Sequence, residues 1–178
     1  MSFLKSLGFG AEGGSSDPGD TATVRKIVAE LETMDADKAR YVAAFAYILG
    51  RVAHADLDIS KAETRKMEEV VGKLGHLPEE QAVLVVQIAK SQNQLFGHTE
   101  NFLVTREFTQ VSTPEQRQEL LDCLFAVSAA DESITSAEEA QIRQIASELG
   151  FSHRQYFEAR KVYSQHSEVL KTLQNPSS

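Results

Sequence analysis

The sequence has one cysteine and four prolines in 178 residues, and it carries fewer basic than acidic side chains, 18 Lys and Arg against 26 Asp and Glu. Each shortage removes a class of explanation. A lone thiol, Cys123, cannot form a disulfide within the chain, which fits a reducing, cytoplasmic setting. It sits in the apolar run "LLDCLFAV" with no histidine nearby in sequence, so it reads as a small core residue and not as a nucleophile. A net charge of −8 speaks against a basic face for phosphates, so nucleic acid is not an expected partner, whereas cations and basic proteins are. The longest apolar stretch, "YVAAFAYIL" at 41–49, falls well short of the roughly 20 residues that a spanning helix requires, so no transmembrane segment is expected.

Catalytic signatures are missing as well. There is no G-x-S-x-G, C-x-x-C, H-E-x-x-H or phosphate loop; "GFGAEGG" at 8–14 has glycines but neither the lysine nor the preceding strand. His76, His98, His153 and His166 fall at or near helix ends or on an amphipathic helix, where a surface histidine is the ordinary reading. No enzyme is expected.

What is present is helical periodicity. From Thr21 onward apolar residues recur every three or four positions, and the prolines lie at or outside helix ends, which predicts an all-α fold. Residues 1–20, "MSFLKSLGFG" and a Gly/Ser/Pro linker, are expected as a tail; the start has too little charge and apolar length for a secretory signal. Phe3, Leu4, Leu7 and Phe9 offer an apolar tag for a partner or lipid surface, the plain alternative being a disordered end. A helical domain is expected over 21–172, with a frayed end at 173–178. Its helices are predicted at about 21–34, 37–54, 61–74, from Pro78 onward, 100–110, from Pro114 onward, 136–149, and from Ser152 to about 170. Gly75 and Gly150 are the predicted helix stops, and Thr113, Pro114 and Gln116 form a strong start signal.

One acidic phrase occurs twice, "ADLDISKAE" at 55–63 and "ADESITSAE" at 130–138. Aligning 52–75 with 127–150 gives eight identities in 24 positions, among them Asp56/Asp131, Ile59/Ile134, Glu63/Glu138 and Gly75/Gly150. The chain therefore reads as one unit, helix, acidic loop, helix, stop, helix, used twice over about 37–90 and 113–165. The expected architecture is a compact bundle of about seven to eight helices built from two pseudo-symmetric repeats.

Ser60 with Glu63 and Thr135 with Glu138 have capping-box spacing, which accounts for the Ser, Thr and Glu of the phrase. It accounts less well for the aspartates, which close the preceding helix where the dipole disfavours negative charge. Glu63 and Glu138 also head apolar stripes, through Met67, Val70 and Leu74 and through Ile142, Ile145 and Leu149, so each leans toward the core. Carboxylates gathered at the edge of a core need a proton, a basic partner or a cation. Asp56, Asp58 and Glu63 in the first copy, and Asp131, Glu132 and Glu138 with Glu139 in the second, are candidate hard-oxygen ligands for calcium or magnesium; His54 would shift the first toward zinc. Neither is an EF-hand loop, since both lack the sixth-position glycine and place Met67 or Ile142 at the twelfth.

The doubled "A-D-x-x-I-[ST]-x-x-E" signature, each copy followed by a helix ending Leu-Gly, resembles the TerB-like family, which includes a tellurite-resistance protein and the N-terminal domain of a J-domain co-chaperone. The resemblance covers about 40–165 and implies an all-helical bundle of two related halves, a role in bacterial stress response and a divalent-metal site at Asp56, Glu63, Asp131 and Glu138. The family's usual Gly after the Asp is Leu57 or Glu132 here, and no J domain is present. The expected function is a cytoplasmic, non-enzymatic metal-binding interaction module with protein partners at or near the inner membrane. The alternative is a metal-free adaptor whose acidic helix ends bind a basic protein.

Overall fold

The computed structural model describes residues 26–53, 61–90, 101–129 and 134–163, with the side chains of Glu63, Asn101 and Phe102 excepted. The tail and linker, the aspartate-bearing stretches 54–60 and 130–133, and the residues after Tyr163 lie outside the described residues. Within the described residues a helix, α1, covers 26–32, followed by α2 (Ala36–Ala53), α3 (Lys61–Leu74), α4 (Glu79–Lys90), α5 (Asn101–Val111), α6 (Pro114–Ala129), α7 (Ser136–Glu148) and α8 (His153–Val162). There is no strand among them beyond one bridge residue, Ile134. The all-α expectation holds.

The centre of the bundle is α2. Every residue from Tyr41 to Val52 is buried, so the helix is enclosed on all sides, more completely than a stripe of apolar residues requires. Ala43, Ala44, Ala46 and Gly50 keep its surface low, which lets α4, α5, α6 and α7 all pack against it. Tyr41, Phe45 and Phe108 of α5 form one aromatic cluster with centroids 5.4 to 6.2 Å apart. Burial pushes the Tyr41 phenol far above its usual range, with the charge of Glu119 adding to it.

Helix ends follow local chemistry. Thr113 and Gln116 make the predicted reciprocal pair at the start of α6, at 2.9 and 3.1 Å. Pro78 supplies the first carbonyl of α4, accepting from Ala82 N at 2.9 Å. Gly150 has φ +89° and completes a Schellman end, its N–H donating to Ser147 O and that of Phe151 to Ala146 O.

Gly75 is different. The positive φ after α3 falls on His76, at 53°, and not on the glycine. Gly75 is there for space: a Cβ would come 2.5 Å from Val71 O and 3.4 Å from Phe45 Cζ. The last helix also ends sooner than spacing predicts. Its cap is Tyr163, φ −109° and ψ 14°, whose N–H turns back to Arg160 O while its ring stacks on Phe125 at 5.7 Å.

The order helix, stretch outside the described residues, helix, stop, helix occurs in α2–α4 and again in α6–α8. Lys61 opens α3 and Ser136 opens α7, and α2 meets α7 as α3 meets α6.

Candidate functional site

The start of α7 is where described structure comes nearest the second acidic phrase. Thr135 is the N-cap in an extended conformation, φ −68° and ψ 159°, so its hydroxyl accepts from Glu138 N at 3.2 Å. Glu138 returns the contact, Oε2 accepting from Thr135 N at 2.8 Å. The side chain tilts back toward the helix start and lies on the core edge, with Glu138 only 7% exposed. The sequence-based placement of Glu138, heading an apolar stripe and turned from solvent, is what the fold produces.

Its neighbour is buried too. Glu139 is 7% exposed, and its Oε1 accepts from Arg160 Nε of α8 at 2.9 Å, with both side chains nearly enclosed. Two adjacent buried carboxylates therefore mark the helix start, favoured by the positive end of the helix dipole and by these donors. Ile134, 1% exposed, anchors the chain just ahead of the cap.

Of the acids singled out from sequence, Glu138 and Glu139 have described side chains, and they face different partners, Thr135 N and Arg160 Nε. Asp131 and Glu132, and Asp56 and Asp58, lie outside the described residues, as do His54 and Ser60. Glu63 is placed by its backbone as the third residue of α3, the rank Glu138 holds in α7; its side chain lies outside the description. Among the described residues no three His, Cys, Asp or Glu side chains form a group that could hold an ion. What the helix start presents is two buried carboxylates held by hydrogen bonds, a few residues after Asp131 and Glu132 in sequence.

A second feature escapes sequence reading. Arg51, in the last turn of α2, points into the interface with α7, where Nη1 meets Glu148 Oε2 at 3.0 Å and Nη2 meets Gln141 Oε1 at 3.4 Å. Thr105 of α5 donates to the other Glu148 oxygen at 3.4 Å. The pair is buried, with side-chain exposures of 4% and 13%. Only the position of a charged residue inside an apolar helix could have drawn attention to Arg51.

Cys123 is fully buried, and its thiol is pushed up to about 12 by burial, then by the charges of Asp122 and Glu119. Thiolate is scarce at neutral pH under those conditions, in keeping with a packing residue. Asp122 is itself raised by burial, against a hydrogen bond from Gln118.

No helix among the described residues is long and apolar enough to cross a membrane. No curated protein and no solved structure matches the chain. Residues 42–161, about two thirds of the sequence, match the tellurite resistance protein TerB family, a span that contains both acidic phrases, α3 and α7 with their starts, and the Arg51 interface. The chain belongs to the TerB family.

Proposed function

We infer that this chain is a non-enzymatic, cytoplasmic helical module of a tellurite-resistance-like bacterial stress response, which binds divalent cations at its two acidic phrases and presents the result to a protein partner at or near the inner membrane. Asp56, Asp58 and Glu63 would hold one ion, and Asp131, Glu132 and Glu138 the other. Calcium or magnesium suits an all-oxygen set better than zinc. The observation that carries this reading is Glu138, a buried carboxylate fixed in orientation at the helix start that follows Asp131 and Glu132 in sequence. Membership of the TerB family supports the stress role.

The test is thermal. After chelator stripping, millimolar calcium or magnesium should raise the melting temperature, because an ion that binds only the folded state adds stability that grows with its concentration. Asp56→Asn with Asp131→Asn should abolish the rise and leave the helical content unchanged. No rise with calcium, magnesium or zinc removes the reading.

One observation favours the alternative, a metal-free adaptor for a basic protein: the capping box already gives a Glu138 oxygen a partner without any ion. That reading requires salt-sensitive capture of the partner with no effect of metal.

A further inference from the structure

Two arginines lean on one pair of rings, and only one of them has an acid. Tyr156 and Phe157 are neighbours on α8, with ring centroids 5.5 Å apart and planes at 66°. Arg160 lies over Phe157 at 5.9 Å, and its Nε donates to Glu139 Oε1 at 2.9 Å, so its charge is answered inside the fold. Arg143, one turn after Glu139 on α7, lies over both rings, 5.5 Å from the centre of Tyr156 and 6.0 Å from that of Phe157. It is exposed, and among the described residues no carboxylate pairs with it. Stacking engages the face of a guanidinium and leaves the N–H groups at its edge to donate, in a fork that matches a carboxylate.

The ring that Arg143 and Arg160 share is half in water. Phe157 is 47% exposed, although Tyr156 beside it is 3% exposed. Arg154 and Lys161, three residues before Phe157 and four after it, share its face of α8. Both are exposed, and neither is paired with an acid among the described residues. α8 has one acid, Glu158, against Arg154, Arg160 and Lys161, the reverse of the balance in a chain that carries −8. An exposed ring bordered by unanswered cations has the composition of a protein-binding centre, where aromatic and arginine side chains dominate.

The fold also indicates which anion suits this face. Glu139 already places a carboxylate on one arginine of the ring pair, and an incoming carboxylate can make the equivalent contact with Arg143 from solvent. Basic clusters that hold anionic lipid carry about four to eight Lys and Arg. The three unpaired cations here, beside Glu158 and on a chain of −8, fall short of that.

We propose that this face docks an acidic segment of a partner protein, with carboxylates meeting Arg143, Arg154 and Lys161 around an apolar side chain laid on Phe157. It uses no residue of the acidic phrases assigned to cations, so it stands or falls apart from cation binding.

The experiment uses the full chain and two labelled peptides, a short one of glutamates and leucines and its twin with lysine for every glutamate. In fluorescence anisotropy the acidic peptide should bind saturably and at least about tenfold tighter than the twin. Its amide shift changes should centre on Arg143, Arg154 and Phe157. Arg143→Gln should weaken the acidic peptide at least about tenfold. Arg143→Lys should recover only part of that loss, because an ammonium keeps the charge and lacks the fork. Arg106→Gln removes the same charge from an exposed position on α5 and should leave binding unchanged. Should Arg143→Gln not fold, Arg154→Gln with Lys161→Gln changes only exposed residues and should weaken the peptide as well. Absence of saturable binding, or equal binding of both peptides, overturns the proposal. So does binding that the folded variants of this face leave undiminished, or that Arg106→Gln weakens as much as Arg143→Gln. Binding to phosphatidylglycerol vesicles without binding to the peptide assigns the face to a lipid surface and also overturns it.

Discussion

Arg51 and Glu148 meet at 3.0 Å across 97 residues of sequence, and that ion pair joins the end of the central helix to the last turn of α7. Both side chains are largely out of water, so the pair is costly to break but not necessarily costly to replace. Arg51→Met should destabilise by about 3–5 kcal/mol, since it leaves Glu148 buried without its partner. Arg51→Met with Glu148→Leu should recover most of that loss. Urea unfolding of the two variants measures both, and equal losses would show that packing, not charge, holds this interface.

The two aligned glycines should respond to alanine for different reasons. Gly150→Ala meets nothing within 4 Å but must hold φ +89°, so a loss of about 1 kcal/mol is expected. Gly75→Ala has no positive φ to satisfy but drives a methyl to 2.5 Å from Val71 O, which forces the end of α3 to move, and the loss should be larger. Thermal melts of the two variants rank them directly.

The capping box separates structure from charge. Thr135→Ala should cost about 1 kcal/mol through loss of the cap. Glu138→Gln keeps an oxygen for Thr135 N while removing the negative charge. It should therefore melt close to wild type in the absence of metal and show a smaller rise when calcium or magnesium is added.

Cys123 gives a pH prediction. Its folded thiol is raised from 9.0 to about 12, so the unfolded chain loses this proton first. The folded state binds more protons across that interval, and the contribution to stability, fully present below pH 9, is lost as pH rises toward 12. Tyr41, Tyr156 and Tyr163 are raised by burial and slope the same way, so the comparison is between wild type and Cys123→Ala, which should flatten part of the decline. Thiol reagents at pH 8 should label the native protein slowly and the urea-unfolded protein fast.

Much of this could be read from the chain because it depends on neighbours in sequence. The bounds of α3, the Thr113 and Thr135 boxes and the burial of Glu138 follow from spacing of three and four residues, which the helix turns into contact. The Arg51–Glu148 and Glu139–Arg160 pairs do not, because their partners lie 97 and 21 residues apart and periodicity says nothing about which helix meets which. Gly75 misled for a related reason: a glycine after a helix signals a left-handed turn, and only the packed position of Phe45 and the Val71 carbonyl reveals that space was the need.

The most direct test of cation binding is calorimetric titration of the chelator-stripped chain with calcium, and separately with magnesium. Saturable binding of two ions per chain, reduced to one by Asp131→Asn and to none when Asp56→Asn is added, is the predicted result. Heats indistinguishable from dilution, or binding that the two substitutions leave untouched, would contradict it.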